Sequence, residues 1–92
     1  MIELKMELSS KDMQNIFGER DSYIKKIEDE LNVTVIDRDG FLKISGEESN
    51  VKKAVRLISE LTELSHRGRT LQEQNINYGI AMSKEEKENV LL

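Results

Sequence analysis

Ile16-Phe17-Gly18-Glu19-Arg20-Asp21-Ser22-Tyr23-Ile24 is the stretch from which the rest of this chain is best read. A glycine turn here separates two short apolar-periodic segments. Before it, Lys11 to Phe17 places Met13, Ile16 and Phe17 on one face; after it, Ile24, Ile27 and Leu31 recur at i, i+3 and i+7. Each stripe predicts a helix with one buried face. Ser9 or Ser10 is the expected N-cap of the first, and Gly18 its left-handed stop. Asp21 or Ser22 is the expected cap of the second, which ends at Leu31. A glycine loop between two helices aims backbone N–H groups and a helix N-terminus outward, a geometry suited to phosphate.

Upstream, Ile2, Leu4, Met6 and Leu8 alternate with Glu3, Lys5 and Glu7, which predicts a strand over residues 2–8 with one buried face. Downstream, Val33 to Asp37 and Phe41 to Ser45 flank Arg38-Asp39-Gly40. An Asp-Gly pair between β-branched or aromatic runs predicts an antiparallel hairpin. Gly46 closes the second strand. Ser49 or Asn50 then opens the longest helix, whose apolar face is Val51, Ala54, Val55, Ile58, Leu61 and Thr62 and which ends near Arg67, before Gly68. Thr70-Leu71-Gln72-Glu73 has capping-box form and predicts a fourth helix over 70–82, with Ile76 and Ile80 one turn apart. Residues 83–92 have weak periodicity and are expected to be a flexible tail or linker.

Ninety-two residues allow one domain around one core, expected over residues 1–82. Apolar residues make up 37% and charged residues 35%, enough for a core inside a heavily solvated exterior. The formal net charge of −4 argues against a broad electrostatic footprint on nucleic acid, so any such contact must be local. The absence of cysteine excludes disulfides and thiolate metal sites. Met1-Ile2-Glu3 begins no basic-then-apolar leader, and no apolar run reaches the length that spans a bilayer. A cytoplasmic protein with no membrane partner is expected.

No P-loop, zinc-protease or other enzyme motif is present, and the one histidine, His66, lacks the partners a ligand or base needs. Among Arg67 and Arg69 at a helix end, its role is to complement the helix dipole. Glu28-Asp29-Glu30 and Glu85-Glu86 read as solvated helix faces rather than paired catalytic carboxylates. Phe17, Tyr23, Phe41 and Tyr78 read as core or core-edge residues rather than stacking platforms. No catalytic residue, metal or cofactor is expected.

The order strand, helix, Gly18 turn, helix, hairpin, helix resembles a minimal KH module, and the longer pattern resembles the N-terminal module of PhoH-like proteins, bacterial P-loop ATPases associated with phosphate starvation. The residues that carry the resemblance are Ile16 to Asp21; Leu31-Asn32-Val33 with Val35; Leu42-Lys43-Ile44-Ser45-Gly46; Val51, Ala54 and Leu61; and Arg67-Gly68-Arg69-Thr70-Leu71. They cover residues 2 to 82. The resemblance implies an α+β fold of type I-like KH order, β-α-α-β-β-α, with a three-stranded antiparallel sheet and an additional C-terminal helix. It further implies a fragment whose ATPase domain would begin C-terminal to Leu92, so that this chain alone is not an enzyme.

A KH module grips the sugar-phosphate backbone of single-stranded RNA with a Gly-x-x-Gly loop. This chain has Gly18-Glu19-Arg20-Asp21, and Asp21 is expected to place a carboxylate on the N–H groups that a phosphate would use. The nucleic-acid-binding residues under this reading are Gly18, Arg20, Asp21, Lys25, Lys26 and Lys43, around a groove floored by Ile24, Ile27 and Val35. The bland alternative for the lysines is surface solubility, with Lys25 or Lys26 paired to Asp29 or Glu30. Two functions stay open: a weak, salt-dependent RNA-binding module accessory to an ATPase, and a KH-derived interaction or oligomerisation domain that docks on its own ATPase domain or on a second copy.

Overall fold

A computed structural model describes residues 1–85. The chain runs β1 (Ile2–Glu7), α1 (Ser10–Phe17), a single 3₁₀ turn (Glu19–Asp21), α2 (Ser22–Leu31), β2 (Val33–Arg38), β3 (Phe41–Gly46), α3 (Glu48–His66) and α4 (Glu73–Glu85). This is the expected β-α-α-β-β-α order with one further helix. The three strands form an antiparallel sheet in the order β1-β3-β2, so β2 and β1 are its edges.

Strand alternation divides the sheet into two faces. Leu42 and Ile44 of the central strand are fully buried beneath the helices, with Ile44 level with Leu4 and Val35. Lys43 and Phe41 point to the opposite, open face. The hairpin register pairs Arg38 with Phe41 across Asp39 and Gly40, both with positive φ. That is the two-residue turn whose twist suits the flanking strands.

The core is the sum of the stripes read above: Met13 and Ile16 from α1, Ile24, Ile27 and Leu31 from α2, and Val51, Ala54, Leu57, Ile58 and Leu61 from α3. Leu57 is an addition that the sequence stripe had passed over. Ile76 and Ile80 join the same core, so α4 packs on α2 and α3 as part of the domain.

Three expected boundaries shift for physical reasons. The α3 helix begins at Glu48 after Glu47, which makes no side-chain cap bond, rather than at Ser49 or Asn50. The α4 helix begins at Glu73 because Thr70 and Leu71 are held against α1. Its start is secured by the Asn75 carboxamide oxygen, which accepts from Gln72 N at 2.9 Å in place of a Thr70 cap. It also runs to Glu85, past Met82, with Ser83 buried. Residues 86–92 of the expected tail lie outside the described residues.

Among the aromatics, Phe17 and Tyr23 pack on the core as expected. Phe41 and Tyr78 do not: they are 40% and 69% exposed, Phe41 on the open face of the sheet.

Candidate nucleic-acid interface

Gly18 ends α1 with φ 75° and ψ −178°, a region that is essentially reserved for glycine. Its N–H donates to Gln14 O at 3.1 Å. A Cβ there would lie 2.5 Å from Cδ2 of Tyr23, so both backbone and packing demand glycine. The following residues make a tight turn in which Asp21 N donates to Gly18 O at 3.2 Å. Arg20 (φ 55°) and Asp21 (φ 62°) are successive non-glycine residues in the left-handed region. Aspartate tolerates that region better than most residues, whereas arginine has no local compensation.

This geometry corrects the expected role of Asp21. Its side chain makes no capping hydrogen bond to α2. An N-cap works from an extended backbone, as at Ser9 (φ −69°, ψ 161°), whose hydroxyl accepts from Asp12 N at 3.1 Å. Left-handed Asp21 aims its carboxylate elsewhere. The first-turn amides of α2 are therefore not spent on Asp21, although its charge remains beside them.

At 3.6 residues per turn, α2 has two flanks on either side of its buried Ile24–Ile27–Leu31 stripe. Tyr23, Lys26 and Glu30 face α4 and its approach. The Tyr23 hydroxyl donates to Leu71 O at 3.4 Å, Lys26 Nζ lies 3.2 Å from Glu73 Oε2, and Lys84 Nζ donates to Glu30 Oε1. The Lys84 ammonium holds the Glu30 carboxyl below its usual pKa, by hydrogen bond first and by charge second. Asp21 and Glu28 make up the other flank, toward β2, while Lys25 lies on the outer face between the two and shares a depression with Lys26, Asp29, Glu30 and Glu73.

Glu28 accounts for the edge strand. Its Oε2 accepts from Val35 N at 2.7 Å. Because Val35 N points away from β3, the antiparallel pattern also turns the backbone groups of Val33 and Asp37 outward. The second oxygen of Glu28 and the outward carbonyl of Val35 leave acceptors at the point where a bare edge would offer a donor. A depression of about 310 Å³ continues along this edge, between Met13 and Gln14 of α1 and Asp37 and Gly40 of the hairpin.

The six residues named from sequence are thus only partly assembled. Gly18, Arg20 and Asp21 share the loop, with Lys25 one turn on at the outer face of α2, and neither Arg20 nor Lys25 has an ion pair among the described residues. Lys26 is turned to α4 and paired with Glu73, not with Asp29 or Glu30. Lys43 lies on the open face, 3.0 Å from Glu3, on the far side of the sheet from α2. Ile24, Ile27 and Val35 are core residues at 3%, 0% and 8% exposure and floor no open groove. Glu28 was hidden in an acidic run. The available signal was the tight turn at Asn32 (φ 57°), which returns β2 alongside the last turns of α2.

The family model described as KH domain matches residues 3–60. The chain belongs to the KH domain family. It is also similar to the PhoH-like protein of Bacillus subtilis (strain 168), with 33% identity over 70 residues, which is 76% of this chain and 22% of that relative. The chain therefore spans about a fifth of the curated relative it matches. No solved structure gives a significant match.

A KH domain is a non-catalytic, nucleic-acid-binding type of module, in keeping with a sequence that carries no enzyme motif. Among the described residues no helix is long and apolar enough to cross a membrane. In this chain the loop has glycine at its first position, and aspartate, with a left-handed backbone, at its fourth.

Proposed function

We propose that this KH domain binds single-stranded RNA at the Gly18–Asp21 loop and the adjoining β2 edge, weakly and with strong dependence on salt. The observation that supports this most directly is the loop backbone. Gly18, Arg20 and Asp21 all have positive φ, the turn is closed by Asp21 N to Gly18 O, and no side chain caps the helix that follows. Arg20 and Lys25 flank that helix start without ion pairs among the described residues. A helix N-terminus with two free cations beside it attracts a phosphate, and the extended edge beyond it suits an unstacked strand. In a longer PhoH-like protein the module would hold RNA for an ATPase domain, as the sequence resemblance implies.

A second reading has its own support. Glu28 occupies the outward amide of Val35, Asp21 and Asp37 border the same edge, and the net charge is −4. These features suit a KH-derived interaction domain, docking on a second copy or on an attached ATPase domain, that no longer binds nucleic acid. Titration of fluorescent single-stranded RNA at about 50 mM and about 200 mM salt decides between them. An RNA binder loses affinity with a log–log slope of about −0.7 per phosphate contacted. No binding at the lower salt would reject RNA and leave the interaction reading.

A further inference from the structure

The Arg67-Gly68-Arg69-Thr70-Leu71 segment has no part in the interface described above, yet it is among the most firmly held loops of the domain. Asn15 grips it at two points. The Asn15 Nδ2 donates to Arg69 O at 2.8 Å, and Asn15 Oδ1 accepts from Leu71 N at 3.0 Å. Nδ2 also donates to Ser65 Oγ at 2.9 Å, and that hydroxyl donates to Asp12 Oδ1 at 2.6 Å. The carboxylate of Asp12 is thereby drawn inward, at 7% exposure, and Leu71 is buried as an anchor. Residues 69–71 are thus fixed against α1 by the Asn15 side chain. What the clamp presents outward is the Arg69 side chain.

A cleft of about 350 Å³ lies between α1 and this linker, lined by Lys11, Gln14, Asn15, Gly68, Arg69 and Thr70. Two of these carry positive charge and none carries a negative one. Neither Lys11 nor Arg69 has an ion pair among the described residues, in a protein with 18 acidic and 14 basic residues. The contrast with the depression lined by Lys25 and Lys26 is direct, since Asp29, Glu30 and Glu73 share that one. We propose that the cleft between α1 and the α3–α4 linker binds a phosphate group, held by Lys11 and Arg69.

The chemistry favours this class of ligand over others. A phosphate offers only acceptors and negative charge, and the cleft supplies an ammonium, a guanidinium, a carboxamide and a hydroxyl around a small polar volume. Arginine pairs with phosphate oxygens through two N–H groups at once, and here its backbone is already immobilised, so less ordering is required on binding. Lys11, Gln14, Asn15 and Gly18 follow one stripe of α1, opposite the buried Asp12, Met13 and Ile16. The Lys11 end of the cleft therefore lies about 10 Å along the helix from the glycine loop. The phosphate can belong to an RNA strand that passes the loop or to a free phosphate. The site does not rest on the RNA reading, because the cleft is complete without the loop.

The test uses the whole chain and the Lys11→Gln/Arg69→Gln variant, with thermal unfolding to establish that the variant is folded. In the first arm, inorganic phosphate is titrated at constant ionic strength while amide resonances of Gly68, Arg69 and Thr70 are followed by NMR. Saturable shifts that vanish in the variant are expected. In the second arm, the salt slope of single-stranded RNA binding is compared, and the variant is expected to lose about 1.4 from its magnitude, 0.7 for each lost contact. Shifts with a reduced slope, or a reduced slope alone, assign the site to an RNA phosphate. Shifts with an unchanged slope assign it to free phosphate. The absence of both effects overturns the proposal. If the unmodified chain binds no RNA, the loop reading fails on its own and the phosphate titration alone decides this one.

Discussion

The two flanks of α2 differ more from each other than their sequences suggest. Toward α4, Tyr23, Lys26 and Glu30 are each engaged by Leu71, Glu73 and Lys84, residues that arrive from the far end of the chain. Away from α4, Arg20 in the loop and Lys25 on the outer face stand without ion pairs among the described residues, Asp21 sits in a left-handed turn, and Glu28 covers the edge-strand amide toward β2. One helix thus serves assembly of the domain on one side and leaves its charges available on the other. Adjacent Lys25 and Lys26 border one depression but are not equivalent, because 100° of helix rotation brings only Lys26 within reach of Glu73.

The most severe way to break the open flank is Gly18→Ala. It places a methyl against the Tyr23 ring in a backbone region that alanine avoids, so unfolding in urea is expected to show a loss of about 3 kcal/mol. A loss below about 1 kcal/mol would mean that the loop can relax into another turn. On the assembled side, Asn15→Ala removes the clamp on Arg69 O and Leu71 N and is expected to cost about 2 kcal/mol. Hydrogen exchange should quicken selectively at residues 69–72. Uniform protection there would show that packing of Leu71 alone holds the linker.

Asp21→Gly is expected to stabilise the domain, by about 0.5 kcal/mol. It relieves a left-handed residue that makes no cap bond, against the extra freedom glycine brings to the unfolded chain. RNA affinity should rise with it as a negative charge leaves the helix start. A drop in melting temperature would restore the capping role that the sequence suggested. Lys25→Ala against Lys26→Ala then tests the flanks directly. The first is expected to reduce the salt slope of RNA binding by about 0.7. The second should leave that slope unchanged and cost less than about 0.5 kcal/mol, the scale of an exposed ion pair. Equal effects on RNA would abolish the distinction.

The smallest expected effect is one of pH. Glu30 has a folded-state pKa below its usual value because Lys84 favours the carboxylate. Stability from such a group is present above the unfolded pKa and is lost as pH falls through the lowered folded value. Docking of α4 should therefore loosen in the acid range, and Glu30→Gln should remove that component of the dependence. An acid profile for α4 amides identical in the two proteins would show that the pair contributes nothing.

Much of the fold was legible because it is written in local periods. The i, i+3, i+7 spacing of Ile24, Ile27 and Leu31 and the Asp39-Gly40 pair report which face of one element is buried and where the chain turns, and the alternation at Ile2, Leu4 and Met6 reports a strand, although on this edge of the sheet Ile2 and Met6 are only half-buried and Leu4 is exposed. The site was legible only where it depends on backbone chemistry. Gly18 is marked by the helix stop that needs it, whereas proximity in sequence does not tell which way a lysine faces, and Lys43 lies on the side of the sheet away from α2. The left-handed conformation of Asp21 was missed because aspartate is common both as a cap and as a turn residue, and the two uses share one letter.

By itself the sequence determined the order of strands and helices, most of the helical core stripes and the glycine at the loop, since each follows from burial or backbone sterics within a few residues. Tertiary structure alone decided which charges are free. Lys26 meets Glu73 across 47 residues, Lys84 meets Glu30 across 54, and Asn15 meets Leu71 across 56. Those meetings depend on how each helix is rotated and how closely it approaches its neighbour, quantities set by side-chain packing over the whole core and carried by no single stretch of the chain.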